Sequence, residues 1–224
     1  MDKLCFLSHS LTKKIPAYGN DQTEVIIKPV KSIPKGDSCN TFWIGIENHW
    51  GTHIDAPAHF FSTGQNISEY PAETWVFRNP AVIQIGLKEN EILAPERLNQ
   101  MAFQDKDLLL IRSGFQKYRG TPIYCNQNPG IDPELGFWLR RAYPSVKAVG
   151  FDFLSISSGH DRDLGRKAHR AFLDPEGENH PIFIIEDMDL AKDLTGLEQV
   201  WVLPLRIEGV DSAPCTVVGT IRGK

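Results

Sequence analysis

Residues 47–61 read ENHWGTHIDAPAHFF and place His49, His53, Asp55 and His59 within eleven positions of a 224-residue chain that has seven histidines in all. Spread evenly, those histidines would put roughly a third of one residue in such a window. The excess calls for a chemical reason. Side chains alternate across an extended segment, so His53 and Asp55 point one way while Thr52 and Ile54 point the other. His49 precedes His53 by four positions, the spacing of a helical turn, but Gly51 and the β-branched Thr52 and Ile54 oppose regular helix. A tight bend at Gly51 can bring His49 to the same point. Pro57 biases Ala56 to extended geometry, after which the chain turns to offer His59 from another direction. Imidazole nitrogen and carboxylate oxygen gathered in this way suit a divalent metal, zinc or manganese, and a catalytic site of that type keeps one position for water. The metal lowers the pKa of that water towards about 7. His59 is placed to shuttle protons from outside the ligand set. His9 and His180 stand alone, and a surface or hydrogen-bonded role is the simpler reading for them.

Outward from this segment the first third is β-rich. EVIIKPV (24–30), TFWIGI (41–46) and AVIQIGL (81–87) carry β-branched and aromatic runs and read as strands. APERLNQM (94–101) starts a short helix at a proline, and DLLLIRSGF (107–115) follows as a buried strand that stops at Gly114. In DPELGFWLRRAY, Asp132 caps and Pro133 opens a helix over about 133–143, with Leu135, Trp138, Leu139 and Ala142 on its apolar face. VKAVGFDFLSI, AHRAFL, PIFIIED, VWVLPLRI and CTVVGTI continue an α/β pattern in which strands outnumber helices. Ser113–Gly130 carries turn formers without a period, as a lid, a binding loop or a solvated connector would.

The length and an apolar fraction of 41% describe a single globular domain spanning 1–224 with material for a sizeable core. A formal charge of −4 without a long basic run argues against nucleic acid or an anionic membrane as partner, leaving a small molecule. The opening residues hold no apolar stretch of export-signal length and no 18-residue apolar run occurs, so a cytoplasmic location is expected. Cys5, Cys39, Cys125 and Cys215 never form a C-x-x-C pair and read as reduced thiols.

HWGTHIDAPAHF resembles the H-x-G-T-H-x-D-x-P-x-H-F motif of the cyclase family of metal-dependent hydrolases, which includes bacterial kynurenine formamidase and isatin hydrolase. LSHSLTKKIPAYG is similar to the family's opening L-S-x-x-L and P-x-Y-x-G, and DLLLIRSGF, VKAVGFDFLSI and LPLRIEGVDSAP are similar to later segments. The resemblance implies a swivelling β/β/α domain, assembled as a homodimer or homotetramer. It implies that His49, His53 and Asp55 bind a first metal, with Zn2+ favoured over Mn2+, that Asp55 bridges to a second, and that His59 is the catalytic histidine. His169 in KAHRAFL and Glu186 in IFIIEDM map to the distal ligands, with His160 and Asp187 as neighbouring alternatives. Glu186 could instead cap a helix signalled by DMDLAKDL. The family's closing arginine is replaced by Thr216, and Ser157 stands where an aspartate is common.

The reaction implied is hydrolysis of an amide on an aromatic system, first of an arylformamide such as N-formylkynurenine, by metal-bound hydroxide with His59 as general base and acid. Opening of a cyclic amide or lactone such as isatin is the alternative within that chemistry. A metal-binding protein without turnover is the alternative outside it. Phe60, Trp50 and Trp75 are candidates for packing an aromatic substrate, or are plain core.

Overall fold

The computed structural model describes residues 2–18 and 24–223. Gly19, which ends the stretch LSHSLTKKIPAYG, lies outside the described residues. The chain begins with β1 (Lys3–Phe6), β2 (Ile26–Lys31), β3 (Thr41–Gly45) and β4 (His53–Asp55), with no α-helix among the described residues of this third. β5 (Val76–Phe77), β6 (Pro80–Gln84), β7 (Ile92–Leu93), β8 (Leu108–Arg112), α1 (Pro122–Asn126), β9 (Gly130–Ile131), α2 (Pro133–Ala142) and β10 (Ala148–Phe151) follow. α3 (Arg162–Leu173), β11 (Phe183–Glu186), β12 (Leu197–Pro204) and β13 (Ser212–Ile221) complete the order.

One sheet runs β5-β12-β13-β4-β11-β10-β8-β6, with β1 added along the far half of β13. Its two edge strands, β5 and β6, are separated only by Arg78 and Asn79, so the edges are drawn together into a nearly closed barrel. That corner is fixed by Asp107, whose carboxylate accepts from the Arg78 and Asn79 backbone N–H groups at 2.7 and 3.0 Å. β6, β8, β10 and β11 are parallel, with α2 and α3 as the crossovers between β8, β10 and β11.

Burial on both faces explains the unbroken apolar run at Leu108–Ile111. Leu109 and Ile111 pack beneath the helices with Val149, Phe151 and Leu139, whereas Leu108 and Leu110 pack inside the barrel with Ile54, Ile185 and Val202. β2 and β3 pair only with each other, and every residue of both except Gly45 is exposed.

Asp132 caps α2, accepting from Glu134 N at 2.9 Å; of its expected apolar face, Leu135 and Leu139 are buried, Trp138 is half-buried and Ala142 is exposed. Three expectations need correction. APERLNQM forms only a 3-10 turn at Pro95–Arg97, because Leu98 is its one fully buried side chain and a single anchor does not sustain a helix. DMDLAKDL forms no helix: Asp187 adopts a left-handed backbone with φ 51°, so Glu186 caps nothing. Ser113–Gly130 is not a solvated connector, since Phe115 and Tyr124 are fully buried and Arg119 makes bonds of 2.7–3.2 Å to the buried Asp187 carboxylate.

The segment after α3, DPEGENHP, is held by one buried cation. Arg140 donates to the carbonyl oxygens of Ala171, Asp174, Glu178 and Asn179 at 2.8–3.1 Å, which also satisfies a carbonyl left unpaired at the end of α3. Arg140→Met keeps the stem but leaves these oxygens without a donor. It should lower the unfolding free energy by about 3 kcal/mol in urea denaturation; a change within error would show that the contacts are not needed.

Candidate metal centre

β4 lies in the middle of the sheet between β13 and β11, both antiparallel to it, and all three of its residues are buried. Ile54 fills the barrel interior, so alternation sends His53 and Asp55 to the opposite face, beneath α3. The bend before β4 falls at Gly51, where a φ of 67° favours glycine. The bend returns His49 to Asp55, with Nδ1 3.2 Å from Oδ1. Strand register sets Glu186 opposite His53, whose Nε2 is 3.4 Å from Glu186 Oε2 and 3.7 Å from Asp55 Oδ1. α3 contributes His169, with Nε2 3.6 Å from Glu186 Oε1 and 3.8 Å from Asp55 Oδ2. Each carboxylate therefore turns one oxygen toward His53 and the other toward His169.

Two ligand atoms each about 2.1 Å from a tetrahedral ion are about 3.4 Å apart. The 3.2–3.8 Å separations here suit atoms that share an ion better than atoms that bond each other. His53 Nε2 and both Asp55 carboxylate oxygens are buried without a hydrogen-bond partner, an arrangement that costs about 1–3 kcal/mol per group unless something else satisfies them. Tautomers are set from behind: His53 Nδ1 donates to Gly51 O and His169 Nδ1 to Gly165 O, both at 2.8 Å, so a deprotonated Nε2 turns its lone pair to the carboxylates. A side chain at Gly165 would collide with Ser157, so glycine allows α3 to approach this closely. The triads His53, Asp55, Glu186 and His49, Asp55, His59 each have ligand atoms within 4.8 Å of one another, a nitrogen and oxygen set that fits Zn2+ or Mn2+.

With no cation the imidazoles act as counter-ions. Burial opposes charge on His49, but the Asp211 and Asp55 carboxylates facing its two ring nitrogens raise its pKa to about 10. At His53 and His169 burial is likewise outweighed by Glu186, with Asp55 adding to it, and both are raised. Burial would raise Asp55 and Glu186, yet the histidines hold both below the usual carboxylate range.

His59 stands at the rim on the turn after Pro57, with Nδ1 2.7 Å from Asp211 Oδ2. Hydrogen bonds from His49 and His59 keep Asp211 ionised, so it can only accept; His59 Nδ1 donates and Nε2 is left as the base. Asn48 Nδ2 donates to the other Asp211 oxygen at 2.8 Å. The His59 ring is 4.2 Å from that of His49 and 5.8 Å from that of His169. Phe60 stacks on His169 at 4.8 Å. Trp75 instead belongs to the barrel core beside Tyr70 and Phe183, and Trp50 is half-buried on the bend.

The fold thus brings His49, His53, Asp55, His59, His169 and Glu186 together. His160 is exposed, and Asp187 turns away to Arg119 and Tyr124, so neither joins them. Sequence reasoning does not single out Asp211 or Asn48. Asp211 is 152 positions from His59, and only the pairing of Ser212 with Asp55 brings it near.

A family model described as putative cyclase matches residues 6–158. Kynurenine formamidase of Bacillus thuringiensis is 26% identical over 183 residues, 81% of this chain and 80% of that protein. Cyclase-like protein 2 of Oryza sativa is 24% identical over 225 residues, 93% of this chain and 75% of that protein. Isatin hydrolase A from Labrenzia aggregata superposes with a TM-score of 0.83 at 19% identity, over 99% of this chain and 94% of that one. The predicted metal-dependent hydrolase from Bacillus stearothermophilus gives 0.77 at 20% identity, over 99% and 100%. These likenesses bear out the expected fold, and the chain belongs to the cyclase family of metal-dependent hydrolases.

Proposed function

We propose that the chain hydrolyses the amide bond of an arylformamide, with N-formylkynurenine the first substrate to test. The observation that carries this reading is a set of buried, unsatisfied metal-type donors beside a rim histidine whose tautomer is fixed by a carboxylate. In this reading His49, His53, Asp55, His169 and Glu186 hold one or two divalent ions, Zn2+ before Mn2+. A cation bound there supplies Lewis acidity toward a carbonyl oxygen and a lowered pKa for water. His59 Nε2 takes the proton of the attacking water and returns it to the departing nitrogen. Asp211 holds the His59 ring in place and stabilises the imidazolium formed between those two transfers, while Phe60 offers a face for the aromatic group. Opening of a cyclic amide such as isatin would use the same groups, the nitrogen remaining tethered to the product. A storage protein would have no use for the His59–Asp211 pair.

Metal analysis followed by assay of N-formylkynurenine, formanilide and isatin tests the reading; bound metal without turnover of any would favour a binding protein. His59→Ala should cut turnover by about 10²–10⁴ while metal content holds, and Asp211→Asn should lower kcat more than it raises KM. Loss of metal from the His59 variant would make it a ligand instead.

The raised imidazoles give metal binding a definite pH dependence. In the metal-free protein His49 contributes stability that is fully present below the unfolded value of about 6.5 and is lost as pH rises through about 10. At neutral pH a cation must displace that proton, so affinity should rise with pH up to about 10. Titration calorimetry at pH 7 in buffers of different protonation enthalpy should show protons released; heats independent of buffer would refute this.

We infer also that two copies of the chain associate. The β2–β3 hairpin exposes Ile27, Ile44 and Phe42 on one face and Ile26, Trp43 and Val30 on the other. A second apolar surface, with Leu4, Phe6, Leu203 and Leu205 exposed, borders a groove that begins at Ile46, just past the hairpin. A second copy covers both surfaces of each chain in one two-fold contact. Light scattering should find a dimer or tetramer, and Phe42→Lys with Ile44→Lys should give a folded smaller species. A monomeric parent would overturn this assembly.

A further inference from the structure

One aromatic ring packs on His169, and a second is tied to the loop beside it. Phe60 stacks on the imidazole, and Tyr18 donates through its hydroxyl to Ser158 O at 3.0 Å, next to Ser157, whose Oγ is 3.5 Å from His169 Nδ1. Each ring carries a guanidinium from α3. Arg170 Cζ is 5.8 Å from the Phe60 ring centre and 5.1 Å from that of Phe61, and Arg162 Cζ is 5.5 Å from that of Tyr18.

Positions 162, 166 and 170 form one stripe at helical spacing. Arg166 is neutralised by Asp163 at 2.5 Å, whereas Arg162 and Arg170 have no carboxylate partner among the described residues. Helix stability does not ask for this pattern, because Arg162 occupies the first position of α3, where the helix dipole disfavours a cation. The stripe also runs against the chain's formal charge of −4. Stacking steadies each guanidinium only modestly, and it holds Arg170 beside the ring that packs on His169.

We propose that Arg170 selects an aromatic substrate that bears a carboxylate on its ring, away from the bond that breaks. The substrate ring lies at the rim beside His59 and Phe60, and the planar guanidinium turns from Phe60 to take both carboxylate oxygens. Arg162, about 12 Å farther along the helix axis, adds attraction at longer range. The proposal rests on the hydrolase reading above and narrows its substrate class.

The test compares the metal-loaded enzyme on 2- and 3-formamidobenzoate with its action on uncharged formanilide. The parent should favour a formamidobenzoate in kcat/KM, through KM, with a preference that weakens as salt rises. Arg170→Gln should shrink the ratio of anionic to neutral kcat/KM about tenfold or more, and Arg170→Lys should recover part of it. Formanilide turnover without preference for the anions overturns this proposal alone, as does an equal fall on all substrates in the Arg170→Gln enzyme. No turnover of these three, nor of N-formylkynurenine and isatin, removes the hydrolase reading as well.

Discussion

A carboxylate with no exposed surface and no hydrogen-bond donor, that of Asp55, is the constraint on which the rest of the architecture depends. Water cannot solvate it, and Glu186, a second buried acid, lies across the same pocket. Two such charges persist together only where positive partners are fixed around them. β4 is short because its task is to deliver His53 and Asp55 to one face, and its place between β13 and β11 keeps that face dry. Backing for the pocket comes from the neighbouring residue: Asp187 binds Arg119 and Tyr124 through its carboxylate and takes the Thr52 hydroxyl at its carbonyl oxygen. The chain positions on both sides of the acid pair are thereby locked.

The site has a dry half and a wet half. His53, Asp55, Glu186 and His169 are almost wholly buried, whereas the side chains of His49, His59 and Asp211 are 24–31% exposed. Charge held for binding belongs in the first environment, where an ion is strongly preferred to nothing. Proton traffic belongs in the second, where the imidazole can exchange with solvent between turnovers. His49 touches both, through Asp55 on one nitrogen and Asp211 on the other.

What could be read from the sequence was what is local. The alternation that separates His53 and Asp55 from Ile54 needs three residues, and α2 announces itself through Asp132, Pro133 and one apolar stripe. His169 and Glu186 came through family resemblance, since no spacing law joins a helix to the next strand across an irregular segment. Asp211 lies within the family-like LPLRIEGVDSAP, but its place beside His59 is created by strand pairing and has no local signal. APERLNQM and DMDLAKDL carry sound helix signals, but the first has too little to bury and the second begins at a residue whose backbone is bent to suit Arg119 and Tyr124. EVIIKPV reads as a strand and forms one at Ile26–Lys31, yet its composition does not reveal that the strand lies outside the core with every residue exposed.

β13 reaches the site at one end and clasps β1 at the other, so the latest strand of the chain also secures the earliest. During synthesis the six clustered histidines and acids all emerge before Asp211 does. A nascent chain that ends just short of Asp211 carries those six side chains while lacking both the strand that flanks β4 and the residue that aligns the His59 ring. The buried pocket and its exposed rim are therefore completed together, when residues 211–214 come to lie along β4.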